Sequence, residues 1–351
     1  MKKFFTKLKI LLKRPIAIII VGKGKETAKE AISQSLKPYF KTGKKVLIFE
    51  TNLKKDEKFF QFLIKKSSLP ILLVTHFSDP HPDKDFFASE KKQTNKVRKL
   101  AKLLPFWGYL ILNFDDETVR EIKDETNLKE LTFGFQEGAD FRATEIKLNL
   151  GTTFKVCHQG NLVPVWLDKL FGKEQIYSAL AATSVGVVLG LNLVEISQAL
   201  KNYHSLPGRM RLIKGIKNSW ILDDAESASV FSMIEALEIL GKIQSAQRKI
   251  AVLGDIVGIG KYTIEAHETI GEKVAEFCDL LFTFGERAKF IAQGAALKGM
   301  EAEKIFQFEN FEKGTEKLKK EIKEGDLILV DGSRELEMER VVKALEDVDK
   351  S

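Results

Sequence analysis

Cysteine is scarce in this chain. There are two among 351 residues, Cys157 and Cys278, far apart in sequence. That number excludes a disulfide framework, and their separation excludes a zinc motif. A reducing, cytoplasmic setting fits. A secretory leader is not expected either. The N-terminal stretch of residues 1–14 is basic and weakly amphipathic, but Lys13, Arg14 and Pro15 interrupt its apolar run and no small-residue cleavage site follows. It reads as an entry helix lying on the first domain; a peripheral contact with an anionic membrane face is the alternative. No apolar run is long enough to cross a bilayer. Residues 179–194 come nearest, but they are too few and include Thr183, Ser184, Gly186, Gly190 and Asn192, so a buried core helix is expected. Helix-turn-helix, RNA-recognition and zinc-finger patterns are all missing, as are internal repeats and low-complexity segments.

What is present is ordinary for a globular protein: 44% hydrophobic and 30% charged residues. The length suits two domains, or three small ones. Lys+Arg number 56 and Asp+Glu 49, a net charge of +7. The basic residues are spread along the chain. Without a recognition motif they do not argue for nucleic acid; an anionic small substrate or plain solubility explains them as well.

Short apolar runs alternate with stretches of helical period, which predicts an α/β fold with a largely parallel sheet. Residues 15–21 form a continuous apolar run, typical of a strand covered on both faces. A helix is expected over 27–40, and strands over 46–50, 70–75, 108–113 and 131–134. A basic helix is expected over 91–104. Residues 144–150, 153–158 and 162–167 read as a meander with turns at Gly151 and at Gly160-Asn161. Helices near 173–189 and 193–202 close this part. A second α/β unit begins after Pro207-Gly208, with strands at 220–224, 249–253, 280–284 and 327–330. Helices fill the intervals, including 229–240 and 267–277. The boundary is expected at about residue 207, where Pro-Gly supplies a sharp hinge.

One loop has the context of a phosphate cradle. A buried strand leads into Val21-Gly22-Lys23-Gly24-Lys25-Glu26-Thr27, and a helix follows. Glycines at 22 and 24 let backbone N–H groups approach oxygen atoms. The helix N-terminus at Thr27 favours an anion, and Lys25 reaches the outer phosphates. A complete loop of this kind carries Ser or Thr directly after the lysine, where the hydroxyl ligates magnesium. Here that residue is Glu26. A carboxylate there repels a triphosphate unless it turns outward or magnesium bridges the two. The plain alternative is an ordinary glycine-containing strand-to-helix turn.

Motifs along the rest of the chain resemble those of the Mur ligases, which build the peptide of bacterial cell-wall precursors with ATP. Leu206-Pro207-Gly208-Arg209-Met210 matches the P-G-R-M hinge of the branch that adds D-alanyl-D-alanine to the UDP-muramoyl tripeptide. Asp223-Asp224 and Ser232-Met233 match the ends of that branch's D-D-S-Y-N-A-N-P-D-S-M stretch. Leu253-Gly254-Asp255, followed by His267 and Gly271, looks like L-G-D-M…H-x-x-x-G. Gly332-Ser333-Arg334 and Met338-Glu339-Arg340-Val341-Val342 resemble K-G-S-R…M-E-R-V-V. Leu112-Asn113-Phe114-Asp115-Asp116 resembles L-N-x-D-D of the ATPase domain. On these motifs, in this order, the sequence is identified as a member of that family over nearly its whole length.

The resemblance implies a P-loop-type central domain over 15–206 and a Rossmann-like α/β C-terminal domain over 207–351, after a basic helix at 1–14. The family's N-terminal domain, which grips the UDP-sugar, is not expected here. The link between the phosphate-loop helix and the next strand is also shorter than the family's. The implied chemistry uses ATP and Mg2+: a substrate carboxylate attacks the γ-phosphate, and an amine then displaces phosphate from the acyl phosphate to form the amide. Gly22, Gly24, Lys25 and Thr27 are implied at the nucleotide, with Lys25 on the β- and γ-phosphates. Arg209 is implied at a nucleotide phosphate and Asp224 at the ribose. Glu50 and His81 are implied as magnesium ligands, Lys25 and His81 as catalytic groups, and Ser333 and Arg334 at the amino-acid site. Each has a plain reading too: Glu50 as a solvated strand end, His81 as a loop histidine, Arg209 as a surface ion pair, Asp224 as a turn cap.

Five departures bear on activity. Glu26 replaces the magnesium-binding Thr. Val97 occupies the position of the lysine whose carbamate bridges magnesium, with Lys96 one residue away. Glu174-Gln175 and Ser178 stand where the family shows H-N…N. Ser227 and Ser229 replace the two Asn of Y-N-A-N-P. Asp331 replaces the Lys of K-G-S-R. Two functions follow. One is an ATP-dependent, amide-forming ligase acting on an anionic, UDP-muramoyl-peptide-like substrate, its UDP-sugar grip supplied by a partner protein. The other is a non-catalytic member that keeps the fold as a binding or scaffold module.

Overall fold

A computed structural model of the chain describes residues 10–53, 56–77, 87–122, 128–226, 228–244 and 246–347, with backbone alone for 87–93. Internal packing divides it into two units. The first holds Met1–Lys147, Thr153–Asp168 and Lys173–His204; the second holds Leu148–Thr152, Lys169–Gly172 and Ser205–Ser351.

The first unit runs β1 (Ile16–Val21), α1 (Lys25–Leu36), β2 (Val46–Thr51), α2 (Glu57–Lys66), β3 (Leu69–Val74), α3 (Phe87–Ala101), β4 (Tyr109–Asn113), α4 (Glu117–Arg120), β5 (Lys129–Gly134), β6 (Phe141–Leu148), β7 (Gly151–His158), β8 (Asn161–Asp168), α5 (Lys173–Val188) and α6 (Leu193–Leu200). Its strands form one sheet in the order β2-β1-β3-β4-β5-β6-β7-β8. The strands from β2 to β6 pair in parallel. β1 lies between two partners and is covered on both faces, which explains its unbroken apolar run. Ile19 and Val21 join Leu72, Val74, Leu110 and Leu112 in a cluster closed by Phe60 and Leu63 of α2 and by Val97 and Leu100 of α3. The alternate residues Ile18, Ile20, Ile71, Leu73 and Ile111 are buried as well, and strand pleating turns them to the opposite face.

The apolar stretch at 179–194 is cut where its polar residues predict. α5 stops at Val188, Gly190 takes φ +89°, and Asn192 caps α6 in a capping box with Glu195. α5 is a core helix, buried along most of its length. Among the described residues, no helix is long and apolar enough to cross a membrane. The turn of the β7–β8 hairpin falls one residue earlier than the sequence predicts. Gln159 and Gly160 take φ of 48° and 79°, as a two-residue hairpin turn requires, and Asn161 already begins β8. Of the basic N-terminal segment, Ile10 packs into the core of the first unit, and residues 1–9 lie outside the described residues.

The second unit runs β9 (Arg211–Gly215), β10 (Ser219–Asp224), α7 (Val230–Lys242), β11 (Arg248–Gly254), α8 (Thr263–Phe277), β12 (Leu280–Phe284), α9 (Lys289–Leu297), β13 (Ile305–Phe308), α10 (Phe311–Glu321), β14 (Asp326–Asp331) and α11 (Glu339–Leu345). The sheet order is β13-β12-β11-β14-β10-β9, parallel except for β9 against β10. The edge strands β9 and β13 are short and escape the sequence pattern. Arg248 pins the starts of β11 and β14 together, its Nε and Nη2 donating to the two Asp326 oxygens at 3.0 and 2.7 Å. α8 and α9 meet backbone to backbone. A β-carbon on Gly271 would lie 2.1 Å from Ile291 O, and one on Gly294 would lie 2.2 Å from Glu268 O. The glycine of the H-x-x-x-G motif is therefore a packing residue.

Candidate functional site

The chain leaves β1 and enters α1 through Gly22 (φ +113°) and Gly24 (φ +69°). A β-carbon on Gly22 would sit 2.2 Å from Thr75 Oγ1, so glycine is required there on both counts. The turn is stitched to the end of β3. Lys23 N donates to His76 O at 2.7 Å, and the Thr75 hydroxyl donates to Lys23 O at 2.6 Å.

Two carboxylates take up the donors of this loop. Lys25 Nζ lies 2.5 Å from Glu26 Oε1. The buried Thr27 hydroxyl donates to Glu174 Oε1 at 2.6 Å. Glu174 stands in the first turn of α5, and its carboxyl carbon is 3.2 Å from where a Gly24 β-carbon would be. A carboxylate thus rests over left-handed Gly24 at the head of α1, where the helix dipole favours negative charge. The next residue anchors the segment: Gln175 Oε1 accepts the Tyr203 hydroxyl at 2.9 Å, both side chains buried. Ser178, one turn on, is also buried.

Around the loop, Glu50 at the end of β2 pairs with Lys29 of α1 at 2.5 Å. Val97 points into the core. Its neighbour Lys96 points elsewhere and donates Nζ to Leu53 O at 3.2 Å, just beyond β2. On α3, Lys96 thus reaches the β2 end. His81 lies outside the described residues. The Asn-x-Asp-Asp motif ties elements together. Asp116 accepts Phe77 N at 2.7 Å and caps α4 by accepting Val119 N at 3.1 Å. Asp115 accepts Phe135 N at 2.7 Å, Gln136 N at 3.0 Å and the Tyr177 hydroxyl at 2.9 Å. Among the described residues, no group of three or more His, Cys, Asp or Glu side chains is arranged to hold a metal ion.

In the second unit, Asp223 and Asp224 fold the Pro-Gly-Arg-Met turn onto the end of β10. Gly208 N donates to Asp223 Oδ2 at 2.8 Å, Arg211 Nη2 lies 3.2 Å from the same oxygen, and Met210 N donates to Asp224 Oδ1 at 3.2 Å. Arg209 is half-buried within that turn. The topological switch of the sheet lies between β11 and β14, where open α/β sheets make their crevice. There Ser333 N donates to Asp255 O at 3.0 Å and Ser333 Oγ accepts Val257 N at 3.0 Å. Asp255 caps the approach to α9 through Arg287 N and Ala288 N. Arg334 is exposed and 3.5 Å from Glu226.

Two buried titratable groups flank this crevice. His267 Nδ1 lies 2.6 Å from Thr263 O, and Nε2 accepts Ile256 N at 3.1 Å. A carbonyl only accepts, so the proton is on Nδ1 and the ring is neutral. Burial lowers its pKa below the ordinary histidine value, against the opposing pull of Thr263 O. Asp331 is fully buried, and neither carboxyl oxygen has a hydrogen bond of ordinary geometry. Burial pushes it well above the usual carboxylate range, opposed only by the Gly332 amide.

Family comparisons match this architecture. The Mur ligase middle domain matches residues 9–186, and the Mur ligase glutamate ligase domain matches residues 208–334. The chain belongs to the Mur ligase family. The UDP-N-acetylmuramoyl-tripeptide–D-alanyl-D-alanine ligase of Bacillus subtilis is 29% identical over 177 residues, 50% of this chain and 38% of the relative. The Escherichia coli ligase of the same name is 31% identical over 213 residues, 60% of this chain and 45% of the relative. The chain therefore spans less than half the length of these two relatives. Among solved structures, MurF from Acinetobacter baumannii superposes with a TM-score of 0.79 at 21% identity, over 96% of this chain and 78% of that one. The MurF ligase from Thermotoga maritima, solved in complex with ADP, superposes at 0.75 and 20% identity, over 97% and 82%. These likenesses show the shared fold.

Within the Mur ligase fold, two of the departures, Glu26 and Glu174, meet at one loop. Glu26 holds Lys25 and Glu174 holds Thr27, so the ammonium and the hydroxyl that would meet phosphate oxygens already face carboxylates. A phosphate brought to about 4 Å from either carboxylate meets ~4 kcal/mol of repulsion at an effective dielectric near 20. The sequence marks Glu174 only as a mismatch to H-N…N; its bond to a residue on another helix is not written there. The isolation of Asp331 shows in sequence only as an acid ending the apolar run of β14.

Proposed function

We propose that this chain is a non-catalytic Mur-ligase-fold module that binds or scaffolds in peptidoglycan-precursor handling, related to the D-alanyl-D-alanine-adding ligases and without their ATP and magnesium chemistry. One observation carries the reading: the Thr27–Glu174 bond at 2.6 Å, formed beside the Lys25–Glu26 pair. Residues 15–206 form the nucleotide-domain relic in this reading, and residues 207–351 the C-terminal domain. The test is phosphate release by the chain with Mg-ATP and candidate amino acids. The expected result is no turnover above background. Magnesium-dependent turnover abolished by Lys25→Ala would refute it.

A second reading keeps ligase chemistry on a UDP-muramoyl-peptide-like acceptor, with the sugar grip supplied by a partner protein. It is favoured by the survival of Lys25 at the head of α1, of Glu50 and Lys96 at the β2 end, and of Arg209, Asp224, Ser333 and Arg334 in the second unit. Phosphate release that depends on both an amino acid and an acceptor peptide distinguishes it.

A further inference from the structure

We propose, on the reading of the loop given above, that the Glu174 carboxylate is a built-in occupant of the phosphate loop and the residue that excludes polyphosphate from it. Three features support this. First, Glu174 Oε1 accepts the Thr27 hydroxyl at 2.6 Å, and Glu174 Cγ and Cδ lie 3.2 Å from the ideal β-carbon position of Gly24. The carboxylate therefore lies against the open side of left-handed Gly24, while the space beside Gly22 is taken by Thr75 and His76. Second, its own backbone is fixed. The first turn of α5 is held by the buried Gln175–Tyr203 bond, and Tyr177, on the same helix, is tied to Asp115 at 2.9 Å. Third, the loop itself is anchored, because Lys23 and Thr75 stitch it to the end of β3. Glu26 plays a different part. It pairs with Lys25 at the loop surface, with 40% of its side chain exposed. Glu174 is the group that occupies the cradle itself.

The chemical class excluded is an oxyanion chain, a di- or triphosphate. Replacing the carboxylate by an amide of the same size removes the charge and adds a donor, so the Glu174→Gln loop presents donors where the wild type presents an anion. The test is calorimetric titration of the full chain with Mg-ATP and with inorganic tripolyphosphate. It compares wild type, Glu174→Gln, Glu174→Ala, and Glu174→Gln combined with Lys25→Ala. Far-UV circular dichroism and a thermal melt confirm that each variant is folded; Glu174→Gln, as the isosteric change, carries the decision if Glu174→Ala does not fold. The expected result is at least tenfold tighter polyphosphate binding in Glu174→Gln than in wild type, lost again with Lys25→Ala. A silent wild type with a silent, folded Glu174→Gln overturns the inference and leaves the non-catalytic reading standing. A wild type that binds Mg-ATP, with Glu174→Gln at least tenfold tighter, supports the inference, while phosphate release decides the non-catalytic reading. Equal, measurable binding in both overturns the inference.

Discussion

Glu174 of α5 and Thr27 of α1 stand 147 residues apart in the chain and 2.6 Å apart in the fold. The bond joins the helix that follows the phosphate loop to the penultimate helix of the first unit. It also sets a carboxylate beside Gly24 at the head of α1. The first prediction concerns this pair. Thr27→Val removes a buried donor to a charged acceptor and is expected to lower stability by about 1.5–3 kcal/mol. In the Glu174→Gln background the loss is expected to be smaller. A double-mutant cycle in urea reads the difference as the coupling energy.

The second prediction concerns Asp331. Its folded pKa is raised by burial, whereas the unfolded value is near ~3.9. The folded state therefore binds more protons than the unfolded state above that pH. Stability is full below about pH 3.9 and falls as pH rises toward the folded pKa. Asp331→Asn removes the titration. The variant is expected to exceed the wild type in stability at pH 7, with the gap closing as pH approaches ~4. Denaturant unfolding at a series of pH values checks it.

The third prediction concerns His267, for which the sign is opposite. Its pKa is lowered in the folded chain, so the native state binds fewer protons than the unfolded state. Its contribution is full above about pH 6.5 and is lost as pH falls below that value toward the folded pKa. His267→Ala also strips the partner from Ile256 N, at about 1–3 kcal/mol for a buried group left unpaired. The variant is expected to be less stable at pH 7.5 and to lose less stability on going from pH 7 to pH 5. Chemical unfolding at those pH values measures both effects.

The fourth prediction concerns helix packing in the second unit. Gly271→Ala places a methyl 2.1 Å from Ile291 O, where α8 and α9 touch through their backbones. The helices must separate, and the expected loss is about 1–3 kcal/mol or more. A thermal melt of the variant tests this. Gly299→Ala serves as a control for the volume change: its β-carbon meets nothing within 4 Å, although its own φ of +102° adds backbone strain.

Much of this structure is legible in the sequence. The run from Ile16 to Val21 declares a strand buried on both faces, because water-facing residues are missing from it. Gly190 and Asn192 declare the break between α5 and α6, through φ preference and side-chain capping. The edge strands were harder to see. β9 (Arg211–Gly215) and β13 (Ile305–Phe308) are short and only partly buried, and short edge strands carry little period-two signal. On α3 the sequence points to Val97 as the residue of interest, but helical periodicity decides otherwise: Val97 faces the core and Lys96 faces the β2 end. The site's decisive contact was not legible, because the Thr27–Glu174 bond depends on how α5 packs against α1. No local pattern at either residue encodes that distance.

The most direct measurement is calorimetric titration of the wild-type chain with Mg-ATP at neutral pH. An internally occupied loop gives no saturable heat at ligand concentrations up to ~1 mM, a threshold that corresponds to about −4 kcal/mol of binding free energy. A one-to-one isotherm with a micromolar Kd, abolished by Lys25→Ala, would contradict the account.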